Sequence, residues 1–218
     1  AASTRDGDVV EVRLTAAQAR ELSLLGRRHG ATMFMVLLAA YQVLLARHTG
    51  QDDVLVGTAT AGRDRVQLEP VVGYLSDTLV LRGDLSGDPA FTELLERTQI
   101  SVLDAFSHQG VPFEELVTAL RAERDLTRTP LFQTMFILHT QDGGQDGGAF
   151  AGLTASAFEH GMRQAKLELA LEAWQDEHEL LLTLVYDTAL FDRATVEALG
   201  ARLDGREPRR RTSGGPGR

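Results

Sequence analysis

The sequence predicts an α/β (α+β) sandwich, a mixed β-sheet with helices on one side. Three observations carry that expectation. Short β-branched runs and helical segments are intermixed, with long crossovers early in the chain and two adjacent runs spaced as a hairpin late in it. One early segment, from Met33 to about Leu45, is apolar around most of its circumference, as a helix buried between layers must be. The composition, 43% hydrophobic and 24% charged over 218 residues, allows a sizeable core.

Residues 9–14 alternate as an opening strand. Thr15 with Gln18 three residues later is a capping-box start for a helix to about His29, where Gly30 stops it. Thr32 caps the apolar helix, which ends near residues 47–50. The rest of the chain is organised around residues 53–82, in which the strand-like runs 54–58 and 78–82 flank a polar loop containing Arg63, Asp64 and Arg65. Those three charges suit either a solvated turn or an internal ion pair.

Asp88 and Pro89 supply an N-cap and a first helical residue for a helix over 89–106. Its stripe is Phe91, Leu94, Leu95, Thr98, Val102 and Ala105. A break at 108–112 restarts a short helix over 113–122, and residues 131–139 read as a strand apolar on both faces. The Gly-rich segment 142–148 is a flexible loop. Further strands are expected over 153–158, 166–174 and 179–186, the last two as a hairpin, before Asp192 caps a final helix over 193–203.

The net charge of −9 argues against a nucleic-acid partner, since phosphate binding needs a clustered positive field. Five Arg against one Glu lie beyond residue 205, a tail of +4 that leaves −13 on the rest. With no cysteine, disulfides and thiolate metal sites are ruled out, which suits a reducing cytoplasm. No apolar run reaches the roughly 18 residues of a membrane span. Metal and nucleotide motifs, HExxH and Walker loops among them, are absent too.

Two histidines stand near an aspartate, His48 with Asp52 and His139 with Asp142. A general base needs a partner to fix its tautomer and a cleft to work in. His48 reads as a polar helix end, favoured there by the helix dipole, and His139 as a solvated strand end. Arg124, Asp125 and Arg128, before Thr129 and Pro130, pose the same choice between a solvated turn and an anchored network, with the balance slightly toward the network.

Four segments carry a resemblance. Val72-Gly73-Tyr74-Leu75-Ser76-Asp77-Thr78-Leu79-Val80-Leu81-Arg82 resembles (V/I)GxFxNTxxxR, and His108-Gln109-Gly110-Val111-Pro112-Phe113-Glu114 matches HQ(D)xPFE. Arg124-Asp125-Leu126-Thr127-Arg128-Thr129-Pro130-Leu131 matches RDxSRxPL, and the stretch from Gly57 to Arg63 is similar to GTPxxxR. In this order the motifs resemble the second half of the condensation domains of non-ribosomal peptide synthetases. The likeness covers about residues 9–203.

The resemblance implies one lobe of a two-lobed, chloramphenicol-acetyltransferase-like fold, with residues 1–204 as the C-terminal lobe and 205–218 as a disordered basic tail. It implies amide formation between an acyl or peptidyl thioester and an aminoacyl amine, each carried on the phosphopantetheine of a partner carrier domain, with no cofactor bound directly. Family catalysis rests on an HHxxxDG motif that this sequence lacks, so no catalytic residue is expected in this chain, which is expected to be inactive without its N-terminal partner lobe. Candidate cleft residues are Asp77, Thr78 and Arg82. Gly57, Arg63, Gly73, His108, Gln109, Pro112, Phe113, Glu114, Arg124, Asp125, Arg128 and Pro130 take structural roles. Asp77 replaces the usual Asn, exchanging an amide for a group that only accepts when ionised. A non-catalytic module that recruits carriers or partner enzymes is the alternative.

Overall fold

The computed structural model describes residues 6–63, 65–121, 128–140, 164–175 and 179–205. In chain order these form β1 (Gly7–Leu14), α1 (Ala16–Arg28), α2 (Met33–Thr49), β2 (Asp53–Thr60), β3 (Asp77–Asp84), α3 (Phe91–Ser107), α4 (Phe113–Ala119), β4 (Thr134–Thr140), β5 (Leu169–Gln175), β6 (Leu180–Asp187) and α5 (Arg193–Leu203). The segments 142–148 and 153–158, Arg124, Asp125 and the tail beyond Gly205 lie outside the described residues.

Six strands form one mixed sheet in the order β1-β6-β5-β4-β2-β3. β2, β4 and β5 run parallel to one another, and the other neighbours pair antiparallel. The late hairpin is present, with Leu169 opposite Tyr186 and Gln175 opposite Leu180. Alternation along the strands turns Val54, Val56, Leu81, Leu171, Ala173, Leu182 and Leu184 into the core. α2 lies over this face with Val36, Leu38, Ala39 and Tyr41 fully buried, as its all-round apolar pattern requires.

Local chemistry fixes the helix ends. Thr15 and Gln18 form the expected capping box, and Thr32 accepts from the Met35 amide. Gly50 closes α2 in the left-handed region, where a side chain would cost energy. α3 departs from expectation. It begins at Phe91 with Ala90 as N-cap, because Asp88 takes a left-handed φ of 49° and turns its carboxylate to Arg47, 2.7 Å away. β4 likewise starts at Thr134, since Leu131 has a φ of 71° and the Phe132 amide turns back to the Pro130 carbonyl. α4 ends at Ala119, before Arg121 at a φ of 49°.

β3 is an edge strand whose outer carbonyls would otherwise await a partner. α3 covers them. Ser101 donates to the Arg82 carbonyl at 2.9 Å, and Arg97 donates to those of Asp84 at 3.2 Å and Ser86 at 3.0 Å.

The long helices lie on one face, but the other face is not bare. Gly57 points away from the core, and a Cβ there would run into the Phe132 ring. Phe132 packs in turn on Phe113 of α4, with centroids 5.6 Å apart. The short helix is thus stapled to the side of the sheet opposite the other four.

Candidate functional site

The site grows from the loop that joins β2 to β3. Its entrance is Gly62, with a φ of 61°, pressed against the Leu75 carbonyl. Arg63 then reaches across the loop and donates to three carbonyls, those of Ala61 at 3.1 Å, Val71 at 3.1 Å and Gly73 at 3.4 Å. A planar guanidinium can serve several acceptors at once, which a lysine ammonium does less well. Among the described residues Arg63 has no acidic partner, and its partly exposed guanidinium is a clasp on the backbone. Asp64 is outside the described residues.

What the clasp holds out is apolar. Val72 is 100% exposed and Tyr74 is 91% exposed, in a loop whose ends are tied down. At the loop's foot Asp77 accepts from the Thr78 amide at 2.7 Å, so its carboxylate steadies the start of β3. Thr78 stands opposite Ala59 and is half-buried. Gly73 has open space around it and supplies the clasp with a carbonyl.

Arg82 is placed elsewhere. It pairs with Asp53 through two hydrogen bonds of 2.9 Å, five residues along β3 from Asp77 and toward the other end of β2. That hydrogen bond and charge raise the Arg82 pKa further above its ordinary value. The cross-strand pair leaves the guanidinium committed to the scaffold.

The HQGVPFE segment is a helix junction. His108 ends α3, and its Nδ1 lies 2.8 Å from the Asp104 carbonyl, which makes that nitrogen the donor. Gln109 bonds back to Phe106 through its amide, Pro112 is the N-cap of α4, and Glu114 stands in the first turn, where a negative charge suits the dipole. Arg128 is largely exposed and pairs with Glu168 at 3.0 Å, and the Pro130 carbonyl shapes the turn into β4.

The two tempting histidines part company. His48 is a polar end of α2, 3.1 Å from an Arg202 nitrogen. His139 is not a solvated strand end. Its ring stacks on Trp174, centroids 3.7 Å apart and planes at 12°, with Nε2 3.5 Å from a Glu172 oxygen. Sequence reasoning missed Glu172 and Trp174. The signal was present in β5, where alternation opposes them to the apolar Leu169, Leu171 and Ala173.

A family model described as the condensation domain matches residues 1–204. The chain belongs to the condensation domain family. Among curated relatives of this condensation-domain chain, a linear gramicidin synthase of Brevibacillus parabrevis is 42% identical over 199 residues, 91% of this chain and 4% of that protein. Among solved structures, the X-domain from teicoplanin biosynthesis is 31% identical with a TM-score of 0.85, covering 94% of this chain and 47% of that one. A complex of the X-domain and OxyB from teicoplanin biosynthesis matches at 30% identity and a TM-score of 0.83, covering 94% of this chain and 45% of the other. The condensation-domain chain thus spans about half the length of these solved relatives and a small part of the synthase. No single helix among its described residues is long and apolar enough to cross a membrane.

Proposed function

We propose that this chain is one lobe of a peptide synthetase condensation domain and forms a wall of the cleft in which an amide bond is made. In the whole domain an acyl or peptidyl thioester on one carrier is attacked by the aminoacyl amine on another, both held on phosphopantetheine. This lobe contributes the clasped loop of residues 61–76, with Asp77 and Thr78 at its foot. The observation that supports the reading is the exposure of Val72 and Tyr74 on a loop held by Arg63, since an ordered apolar tip is built to be covered. The histidine motif that serves catalysis in the family is absent from the sequence, so this lobe alone orients substrate without turning it over. The cytoplasm, where its carriers would work, is the location that goes with this reading.

The test mixes the purified chain with donor- and acceptor-loaded carrier domains. Saturable carrier binding mapped by NMR to residues 65–78 is expected, with amide formed no faster than by free aminolysis. Faster turnover overturns the single-lobe part of the reading, and no carrier binding overturns the cleft part.

The neighbour solved with OxyB favours a second reading, a module that recruits another protein. Under it, binding of a partner enzyme persists when the carriers are unloaded.

A further inference from the structure

At the end of the sheet away from the clasped loop lies a cavity of about 350 Å³, within the size range of small-molecule sites. β2, β4 and β5 run parallel, and their first residues, Asp53, Thr134 and Leu169, all line it. The loop departs after Thr60, seven residues further along β2, which is about 23 Å at the rise of a strand. The cavity is therefore separate from the proposed cleft.

Its wall is apolar where Leu45, Leu55, Leu131, Leu169, Phe191 and Leu199 meet. Three ionisable side chains also line it, and each is already matched. Asp53 holds Arg82 through two hydrogen bonds, and Glu168 holds Arg128 at 3.0 Å. Arg202 approaches Nδ1 of His48 at 3.1 Å, and a guanidinium can only donate, so that nitrogen carries the lone pair. The proton of the neutral ring is then on Nε2, an N–H that no described residue accepts. The Thr134 hydroxyl is engaged by Tyr41, and that of Thr49 donates to the Leu45 carbonyl.

We propose that this cavity binds a small uncharged molecule with an apolar body and one carbonyl acceptor, such as an aryl or alkyl ketone or amide. Apolar surface gains by leaving water for such a wall. An ion would give up its hydration among charges that are already paired, with no counter-ion left for it. The carbonyl accepts from Nε2 of His48, which fixes its orientation. The site stands independently of the amide-forming reading.

The test follows the methyl resonances of Leu45, Leu55, Leu169 and Leu199 in the folded chain. It is titrated with acetophenone, ethylbenzene, benzoate and benzylammonium, which share one ring and differ in charge and in the carbonyl. Acetophenone is expected to shift these methyls saturably and to raise the thermal midpoint. The two ions should bind at least about tenfold more weakly, because each must be desolvated. Ethylbenzene should bind roughly fivefold more weakly, for want of one neutral hydrogen bond. His48→Phe should remove the preference for the ketone over ethylbenzene, and His48→Gln, which keeps an N–H donor, should restore part of it. Unfolding curves for both variants separate lost binding from lost fold. An ion that binds as tightly as the ketone, or ketone shifts that do not saturate or that fall elsewhere, overturns the inference. A ketone preference that survives His48→Phe overturns the part given to His48.

Discussion

The carbonyl oxygen of Leu75 occupies the space where a side chain on Gly62 would begin. Gly62 also has a φ of 61°, a region that costs an ordinary residue roughly 1–2 kcal/mol. Gly62→Ala is expected to open the loop while leaving the sheet folded. Amide exchange over residues 65–76 should approach unprotected rates, with the thermal midpoint little changed. Collapse of the whole fold would show instead that the loop is needed to assemble β2 with β3.

Arg63→Lys keeps the charge and loses the fork that spans three carbonyls. Exchange of the amides near Val71 and Gly73 should quicken by roughly tenfold, the equivalent of about one net hydrogen bond. Carrier binding should weaken in step. Unchanged exchange would mean that the loop holds its shape without the clasp.

Asp77→Asn retains the oxygen that accepts from the Thr78 amide, so stability should stay within about 0.5 kcal/mol. It removes a negative charge and adds an amide donor. If Asp77 lines the cleft, loaded carriers should bind more tightly to the Asn variant in calorimetric titrations. Identical affinities would place Asp77 outside it.

Gly57→Ala drives a methyl into the Phe132 ring. Overpacking of this kind costs about 1–3 kcal/mol, and it should also shake α4 loose through Phe113. Adding Phe132→Leu should recover part of the loss, and a double-mutant cycle in urea would read the coupling. Strict additivity would deny the contact.

Burial pushes the Tyr41 phenol upward, against the smaller opposing effect of its hydrogen bond with Thr134. The folded chain thus holds this proton more tightly than the unfolded one. The contribution is complete below the ordinary tyrosine value of about 10 and is lost as pH rises toward the folded value. Urea midpoints should fall on this alkaline limb. Tyr41→Phe should flatten that limb, at a cost near neutrality of about 1 kcal/mol for the lost hydrogen bond.

Much of the fold was legible in the sequence because the signals are local. Thr15 with Gln18, Thr32, Gly50 and the apolar circumference of α2 each act within a turn or two, and each element they predict is present. The motifs around Val72 and His108 led to the family, which the match over residues 1–204 shows. Where local chemistry was outvoted, a distant partner did it: Asp88 met Arg47, and α3 began two residues late.

By itself the sequence determined most of the described elements, the family and the absence of the HHxxxDG histidines, since periodicity, capping and motif spacing need no knowledge of neighbours. Only the tertiary structure decided which side chains work together. It gave Arg63 to backbone carbonyls rather than to an acid, and Arg82 to Asp53 rather than to the foot of the loop. It also brought His139 onto Trp174. The physical reason is register. A pairing between strands 35 residues apart in sequence is set by how β4 and β5 align in the sheet, and a shift of one residue would have turned Glu172 and Trp174 into the core.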